Sequence, residues 1–441
     1  MTKICEVFMN DVKSQKKDEY RTSRILYIIQ AAVEYFIATL AGGAYLAKIT
    51  TSIGIPDDVT AILTATVSLG VGFQLFALFI SRNKRAKSFV VPWSLAYQLL
   101  FTLLYVLPIT DWDSKTKTVI LFVLLILGHI IQNVINSPKI RWLMGLVDEN
   151  KRGSFTAVKE IISLLSGMAF FNTVGYIIDK FEEAGNLTGA FITLGVTIFA
   201  LTVIHTLLLV FTKEKTPTGD AAGKSEPIFE QIKDVVCDKN LWKVLPVSIL
   251  WSIASHVATP FYGTFQINEL GFTMLTVTIM SAVSSLSRAC VSLPFGRIAD
   301  RYSYVTLLRI CFPIAGVAFL FNVFAHGAVG PYLFGMYLIL HAVSLAGING
   351  AAINLIYDAV PYERRVGAIA IRGALSGFIG FFSTLAVRPL ARYIQERGNS
   401  FLGMDIYAQQ VLSAISVILI IIIIIYLNTV LRGFKRVYER N

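Results

Sequence analysis

Twelve long apolar stretches limit the fold of this sequence more than any other feature, because each is about long enough to cross a lipid bilayer. A transmembrane helix needs about 20 predominantly apolar residues. The stretches are continuous and lack the alternation of a membrane β-strand, which excludes a β-barrel. The sequence therefore predicts an all-α membrane protein with twelve transmembrane helices. We place these helices at roughly 24–48, 58–81, 88–108, 117–139, 154–178, 187–212, 241–265, 272–295, 304–325, 331–357, 366–390 and 406–431.

The low content of charged residues supports a membrane protein. Charged residues make up 15% of the 441 residues and hydrophobic residues 55%, whereas a soluble domain has about 25% charged residues. This excludes a disordered chain, a secreted disulfide scaffold and an ordinary cytosolic enzyme. The polar N-terminus is unlike a cleaved signal peptide. The cysteines imply neither disulfides nor zinc, since their spacing is not that of metal ligands; they are Cys5, Cys237, Cys290 and Cys311.

Lys and Arg are distributed unevenly between the two sides of the predicted bundle. With both termini inside, the inner segments hold about four times as many Lys and Arg as the outer segments, as the positive-inside rule requires. We attribute the net charge of +11 to contact with the anionic inner leaflet and not to nucleic acid. These observations predict a multi-pass protein of the plasma (inner) membrane with both termini in the cytoplasm.

A polar stretch in the middle of the chain predicts five segments. Residues 1–23 are a cytoplasmic tail, 24–212 the N-terminal six-helix bundle, 213–240 a cytoplasmic linker, 241–432 the C-terminal six-helix bundle and 433–441 a second cytoplasmic tail. In the linker, Ile228, Ile232, Val235 and Val236 share one helical face, which predicts a short amphipathic helix at the membrane surface. A solvated connector is the alternative.

The two bundles resemble each other in sequence. In one common register Asn136 aligns with Asn349, and Lys159 aligns with Arg372. Two six-helix halves related as a parallel repeat place a substrate site between them, near the middle of the membrane. The sequence therefore predicts two pseudo-symmetric bundles around a central cavity.

A short motif links this architecture to a known family. The segment from Gly296 to Arg301 reads GRIADR and resembles the G-x-x-x-D-R signature of the major facilitator superfamily. The resemblance implies a twelve-helix secondary transporter whose cytoplasmic gate includes Gly296, Arg297, Asp300 and Arg301. Gly296 would allow close packing at a helix end, and Asp300 would meet a helix N-terminus or an arginine and hold the cytoplasmic side closed. The matching first-half loop lacks the glycine and has Asn83 in place of the aspartate.

Two charged residues lie deep inside predicted helices, where a charge is costly and needs a reason. At 1.5 Å per residue, Glu34 lies about 15 Å and Arg288 about 12 Å from the inner side. They could pair across the cavity, or bind substrate and proton. A purely structural ion pair, or an acid satisfied within its own half, is the alternative. Glu34 is our first candidate for a proton carrier, a role that permanent pairing with Arg288 would prevent.

Polar side chains follow single faces of several helices. Helix 4 carries His129, Gln132, Asn133 and Asn136 at i, i+3, i+4 and i+7, which is one side of a helix. A stripe of this kind cannot face lipid, because unsatisfied polar groups there cost several kcal/mol. For single Ser and Thr residues, packing between helices is the alternative. His205 lacks a polar stripe and is the weakest histidine candidate.

The superfamily resemblance places helices 1, 4, 7 and 10 around the cavity. The predicted substrate- and proton-binding residues are Gln30, Glu34, His129, Gln132, Asn133, Asn136, Ser252, Ser255, His256, Thr259, Tyr262, Arg288, His341 and Asn349.

These features favour a secondary transporter that works by rocker-switch alternating access and takes up a small polar solute, whose anionic group Arg288 could meet. No phosphate-binding loop, catalytic triad or H-E-x-x-H pattern is present, so neither an ATP motor nor an enzyme is predicted.

Superfamily proton antiporters often carry a Gly-Pro pair in helix 5, which the segment from Gly167 to Gly175 lacks. A multidrug/proton antiporter and a non-transporting membrane sensor are the alternatives. We predict no cofactor, a proton or sodium as coupling ion, a monomer, and the lipid bilayer and a small-molecule substrate as partners.

Overall fold

The structure, a computed structural model, describes residues 19–77, 85–148, 151–215, 234–361 and 364–434. Within these residues, twelve helical spans are long and apolar enough to cross a membrane, which confirms the predicted all-α membrane fold. The helices are α1a (Arg21–Leu40), α1b (Gly43–Ile53), α2 (Asp57–Gly72), α3 (Ala86–Leu103), α4 (Ser114–Met144), α5 (Arg152–Glu183), α6 (Leu187–Phe211), α7 (Lys239–His256), α8 (Met274–Arg301), α9 (Tyr304–Val323), α10 (Gly330–Ala359), α11 (Arg365–Glu396) and α12 (Ala408–Thr429).

The first and seventh spans are broken at corresponding points. The break in the first span is at Gly42 and at Gly43, whose φ of +53° is a conformation that only glycine adopts at little cost. The seventh span continues beyond α7 through a 3₁₀ turn at Thr259–Phe261 and a π-helical turn at Phe265–Glu269. Pro260 lies in this break, where its missing N–H does no harm.

Each half has its own apolar core. The N-terminal core is built around Phe36, Tyr97 and Phe101, and the C-terminal core around Phe312 and Phe334. In the N-terminal half α1a packs on α5 and α6, and α3 packs on α4 and α6. In the C-terminal half α9 packs on α10 and α12.

The halves meet mainly through two pairs of helices, α2 with α11 and α5 with α8. The first pair crosses at glycines. A Cβ atom on Gly377 would lie 2.4 Å from the backbone nitrogen of Gly72, so these backbones touch directly. A third contact joins the two broken spans, where a Cβ on Gly263 would lie 2.9 Å from the Gly43 carbonyl oxygen.

With an even number of spans, the chain enters and leaves the bundle on the same side. We call this side the terminus face and the other side the opposite face. A two-stranded hairpin, β1 (Ser400–Phe401) and β2 (Met404–Asp405), joins α11 to α12 on the opposite face. Its turn includes Leu402 at φ +53°, and neither strand was expected from the sequence.

The central linker is described only in part. Residues 216–233, which include Ile228 and Ile232, lie outside the described residues. Val235 is buried and Val236 is exposed at the end of a short helical turn. The amphipathic helix and the five-segment division of the chain stay predictions.

Candidate functional site

The opposite face is closed by charged and polar contacts between the halves. Asp58 of α2 accepts a 2.7 Å hydrogen bond from Nε of Arg388 on α11, and the Asp58 side chain is only 3% exposed. Asp57 accepts a 2.8 Å hydrogen bond from the Asn268 amide. A buried carboxylate with a charged partner forms a strong hydrogen bond, so these contacts hold the two halves together at this end.

Asp179 makes a second closing contact, at the N-terminus of α8. Its two carboxylate oxygens accept hydrogen bonds of 2.8 and 2.9 Å from the backbone N–H groups of Met274 and Leu275. These N–H groups have no partner inside their own helix, and the helix dipole favours a negative charge there. Gly175, one turn before Asp179, lets the backbone of Leu275 approach to 3.0 Å from its Cβ position. A helix of one half is therefore capped by the other half.

On the terminus face the same two helices are separated. In α8, the consecutive residues 288–290 and 292–294 are exposed, and so are residues 160–162 in α5. Consecutive residues of a helix point about 100° apart, so three exposed neighbours leave most of the helix surface uncovered, and among the described residues α8 is covered here only on the side where Phe295 packs against α10. The space between the halves therefore opens toward the terminus face.

Glu34 is bound within its own half. It forms an ion pair with Lys139 of α4, whose side chain is 7% exposed, while the Glu34 side chain is 18% exposed. The Tyr97 hydroxyl on α3 donates a 2.9 Å hydrogen bond to the same carboxylate. Of the alternatives open from the sequence, the structure shows an acid satisfied within its own half and not a pair with Arg288.

The Glu34 pair belongs to a longer buried network. Gln98 donates hydrogen bonds to the Tyr97 hydroxyl at 3.1 Å and pairs with Nδ1 of His205 at 2.9 Å. Nε2 of His205 lies 2.9 Å from Oε1 of Gln30. A neutral His205 protonated on Nε2 satisfies both contacts. Gln30 therefore faces α6 inside the bundle and not the cavity, and His205 is a member of the network.

The predicted polar stripe of α4 is only partly directed toward the space between the halves. His129 is buried against Phe101, with 5.0 Å between ring centroids, and its Nδ1 lies 3.3 Å from Oε1 of Gln132. Asn133 donates to the carbonyl of His129 within the same helix. Gln132, Asn133 and Asn136 are half-buried, whereas the His129 side chain is 5% exposed.

In the C-terminal half the predicted stripe of the seventh span divides. Ser252 donates a 2.6 Å hydrogen bond to the Ser376 carbonyl of α11, whereas Ser255 is half-buried. Nδ1 of His256 donates to the Ser252 carbonyl at 2.9 Å, and Nε2 of His256 is hydrogen-bonded to Ser68 of α2. His256 therefore joins the two halves between α2 and α7.

Tyr262 and His341 lie inside the C-terminal bundle and not in the cavity. The Tyr262 hydroxyl is 2.8 Å from the hydroxyl of Ser413 on α12, and its side chain is 4% exposed. The His341 ring stacks on Tyr337 at 5.2 Å, and its Nε2 has no hydrogen-bond partner among the described residues. Thr259 and Tyr262 were predicted to continue the stripe of α7 on the assumption of regular helical spacing. The helix breaks after His256, so this spacing does not apply to them.

The remaining predicted residues lie toward the terminus face. Arg288 and Asn349 are exposed. The GRIADR motif forms the last turn of α8 and not a loop, since α8 continues to Arg301. Gly296 has nothing within 4 Å of its Cβ position among the described residues, so the predicted close packing at Gly296 is absent.

The other predicted gate residues make no closing contact that the structure describes. Arg297 is exposed, and the Arg301 guanidinium lies 5.6 Å from the ring of its neighbour Tyr302. The Asp300 side chain lies outside the described part of the structure, so its closing role stays a prediction.

A cavity of about 280 Å³ lies between the halves, directly beneath the contacts that close the opposite face. None of the fourteen residues predicted to bind substrate or proton lines it. The N-terminal half contributes residues of α1a, α1b and α5, and the C-terminal half contributes the seventh span and the start of α8. The lining residues are Tyr35, Ala38, Thr39, Gly42, Gly43, Ala44, Tyr45, Phe171, Gln266, Val277, Thr278 and Ser281.

Sequence reasoning missed several residues of this region. Lys139 was counted among the inner loops, although it is buried one turn before the end of α4. Gln98 lies on one helical face with Ser94 and Thr102, a polar stripe on α3 that was not taken as a signal. A signal was present for Asp58 and Arg388, because each is a charge close to the end of an apolar span.

Comparison with known proteins places the chain in a family. The sequence model of the Major Facilitator Superfamily matches residues 27–384. No curated protein sequence matches the chain significantly.

Solved structures share the fold at low sequence identity. A bacterial homologue of the human lysosomal transporter Spinster, in an inward-facing and unoccupied conformation, has a TM-score of 0.69 at 13% identity, covering 95% of this chain and 98% of its own. The nucleoside transporter NupG has a TM-score of 0.66 at 12% identity, covering 94% of this chain and 100% of its own.

A bacterial homologue of the iron transporter ferroportin has been solved in two states. In the inward-facing state the TM-score is 0.65 at 14% identity, covering 94% of this chain and 99% of its own. In the outward-facing state the TM-score is 0.55 at the same identity and coverage.

Proposed function

This chain belongs to the major facilitator superfamily, and from that premise we propose that it is a secondary active transporter that takes up a small polar solute by alternating access. In this proposal the terminus face is the cytoplasmic side of the plasma (inner) membrane. The excess of Lys and Arg on that side supports this orientation. Membership of the superfamily indicates a transporter and not an enzyme.

One observation carries the proposal. The halves are joined at the opposite face by Asp58–Arg388 and by Asp179 at the start of α8, while α5 and α8 are uncovered toward the terminus face. A solute in the space between them is accessible from one side only. Rocking of the halves about the α2–α11 and α5–α8 contacts would break the first set of contacts and close the other side.

The higher TM-score to the inward-facing than to the outward-facing ferroportin homologue, 0.65 against 0.55, supports an inward-open conformation here. The Glu34 side chain is 18% exposed in this conformation.

We assign Glu34 the role of the coupling carboxylate and Lys139 that of its counter-charge. When Glu34 is ionised, its negative charge balances the positive charge of Lys139. The Tyr97 hydroxyl stabilises this pair by its hydrogen bond to Glu34. A proton on Glu34 removes the attraction and frees Lys139, which then needs another partner because a buried charge cannot remain unpaired. Proton binding is thereby linked to a rearrangement inside the N-terminal half.

Counterflow in proteoliposomes tests the function. Vesicles are loaded with an unlabelled solute, and entry of the same labelled solute is measured for a panel of sugars, nucleosides, amino acids, organic acids and cationic drugs. We expect transient accumulation of a small polar solute above that in protein-free vesicles. Accumulation of cationic drugs alone would indicate the multidrug exporter, and the absence of counterflow for every solute would support the sensor and contradict the transporter.

The coupling role is tested in the same vesicles. Glu34→Gln should retain counterflow, which needs no gradient, and lose accumulation driven by a pH gradient. The matched control is Glu182→Gln, which removes an exposed acid bound to Lys48 in the same half. The coupling assignment fails when the Glu34 variant accumulates solute against its gradient as well as the control does.

A further inference from the structure

The hairpin on the opposite face is an addition to the C-terminal half. In the common register of the two halves, Gly185 after α5 aligns with Gly398 after α11, and these glycines share one backbone conformation, with φ of +67° and +68°. In the N-terminal half Asn186 follows at once and caps α6 by accepting a hydrogen bond from the Gly189 N–H. In the C-terminal half the chain first forms the hairpin and then begins α12. The repeated six-helix architecture therefore does not account for the hairpin.

The tip of the hairpin is apolar and exposed. Leu402 is 81% exposed and Met404 is 55% exposed, whereas Phe401 is half-buried and packs on the C-terminal core. The matching loop of the N-terminal half, residues 182–186, is also exposed but contains no large apolar side chain. The exposed apolar surface thus belongs to the added segment.

Leu402 has a backbone conformation that leucine rarely adopts. Leu402 and Gly403 are the two central residues of the hairpin turn and have φ of +53° and +78°. A two-residue turn with two positive φ values favours Asn-Gly or Asp-Gly, because the Cβ atom of most other residues crowds the backbone in this conformation. Leucine is therefore unfavourable here for the turn and, in water, for its exposed side chain. A strained residue that persists in this way points to a function of its side chain outside the hairpin.

The hairpin lies close to the ends of its two helices. Its first strand begins four residues after Glu396, the last residue of α11, and its second strand ends three residues before Ala408, the first residue of α12. A strand of two residues is only about 7 Å long, and the headgroup layer on each side of a bilayer is about 5–7 Å thick. The tip is therefore within reach of the lipid headgroups.

Exposed aromatic residues at the ends of the neighbouring helices lie on the same face. They are Phe324 at the end of α9, Tyr332 at the start of α10 and Tyr393 near the end of α11. The Arg397 guanidinium lies 4.2 Å from the Tyr393 ring. Tyrosines concentrate at the membrane–water interface, and arginines near helix ends extend toward it. These residues indicate that lipid borders the C-terminal half at this level.

The base of the hairpin is fixed by three contacts. Nδ2 of Asn399 lies 3.3 Å from both carboxylate oxygens of Glu269, at the end of the seventh span. The Ile406 N–H donates a 2.8 Å hydrogen bond to the Asn399 carbonyl. Asp405 lies 3.6 Å from Nε2 of His326, in the connection between α9 and α10. The tip is thus held in one position relative to the bundle.

We propose that the hairpin is a membrane-interface anchor, whose tip residues Leu402 and Met404 insert among the lipid headgroups of the leaflet at the opposite face. Two side chains offer far less surface than the roughly 800 Å² per partner that a stable protein interface buries, which favours lipid over a second protein. Removal of the two side chains from water offsets the strained conformation of Leu402. This role depends on the membrane fold and not on the transported solute.

Spin-label accessibility in the full-length protein in lipid nanodiscs tests the proposal. One label is placed at Leu402, after serine has replaced every native cysteine except the buried Cys311. Its relaxation is measured with oxygen, which concentrates in lipid, and with a nickel chelate, which stays in water. Reference labels are placed at Ile418, exposed in the middle of α12, and at Glu183, exposed in the matching loop of the other half.

We expect the ratio of oxygen to nickel accessibility at Leu402 to be several times that at Glu183 and to approach that at Ile418. A ratio equal to that at Glu183 would place the tip in water and overturn the proposal. Low accessibility to both agents would mean that a second copy or another protein covers the tip, and this result would overturn the proposal as well.

Leu402→Asn separates the side chain from the shape of the turn. Asparagine tolerates a positive φ, so the turn is retained while the apolar side chain is lost. With a label at Met404, the accessibility ratio should fall toward that at Glu183. The matched control is Ile109→Asn, which removes an exposed apolar side chain from a loop of the N-terminal half on the same face and should leave the ratio unchanged. An unchanged ratio in Leu402→Asn, or an equal fall in the control, would contradict the anchor.

Discussion

The two halves of the molecule share one architecture but fill their interiors differently. The N-terminal half contains a buried chain of polar and charged side chains that runs from Gln30 through His205 and Tyr97 to Glu34 and Lys139. The C-terminal half contains a cluster of aromatic rings. Its members are Trp251, Tyr262, Phe319, Phe334, Tyr337 and His341.

This difference separates two tasks. A network that includes an ion pair has alternative arrangements of its protons and charges, so it can respond to a proton. A close-packed aromatic cluster has a single arrangement and moves as a rigid body. We infer that the N-terminal half holds the coupling chemistry and that the C-terminal half is the rigid body against which it moves.

The largest expected effect comes from breaking the Glu34–Lys139 pair. Glu34→Leu leaves Lys139 buried without a counter-charge and should lower the free energy of unfolding by about 3–5 kcal/mol. Thermal unfolding in detergent, followed by circular dichroism, measures this change. The double variant Glu34→Leu/Lys139→Met should recover much of the loss, because neither charge remains buried. Two single-variant losses that simply add in the double variant would contradict a direct interaction.

A smaller effect is expected at the contacts between the halves. Asp58→Asn weakens the charged hydrogen bond to Arg388, and bonds of this kind contribute about 1.5–3 kcal/mol. The population should shift by at least tenfold toward conformations open at the opposite face. Distances between spin labels at Ile161 of α5 and Leu293 of α8, both exposed on the terminus-face halves of their helices, should show a new and shorter component.

Glu182→Gln serves as the control for Asp58→Asn. Its ion pair with Lys48 is also at the opposite face but lies within the N-terminal half, and the Glu182 side chain is 49% exposed. Because it does not join the halves, it should leave the distance distribution unchanged. Equal responses of the two variants would mean that Asp58 does not hold the halves together.

The smallest effect is expected inside the aromatic cluster. Tyr262→Phe removes one hydrogen bond to Ser413, which retains its bond from Asn322, so the free energy of unfolding should fall by about 1 kcal/mol. Counterflow should be unchanged, since Tyr262 lies in the packed bundle. Loss of counterflow in a folded Tyr262 variant would indicate that Tyr262 belongs to the substrate site. It would then contradict the assignment of the aromatic cluster to a purely structural role.

The sequence was sufficient for the fold because hydropathy is a local property. Over the described residues, the twelve spans were placed within several residues of their observed ends. The partner of Glu34 could not be predicted from the sequence. Helix 4 was predicted to end at Lys139, which assigned this residue to a loop, whereas α4 continues to Met144 and keeps Lys139 buried.

Contacts between helices were the part that the sequence could not supply. His205 has only threonines as polar neighbours on α6, and its partners Gln30 and Gln98 come from α1a and α3. The stripe on the seventh span was extended past His256 at regular spacing, but the helix breaks there and turns Tyr262 into the bundle. The side chains of the cavity lining come from four spans, and no periodicity within one span could group them.

The most direct test of the central claim is to measure distances at both faces of the same protein in lipid nanodiscs. One pair of spin labels is placed at Ile161 and Leu293, and another at Ser52 and Val329, which are exposed on the opposite face. The account predicts two populations, in one of which the first distance shortens while the second lengthens, with a ratio that changes with pH in the wild type but not in Glu34→Gln. A single population at all pH values, or two distances that change in the same direction, would contradict it.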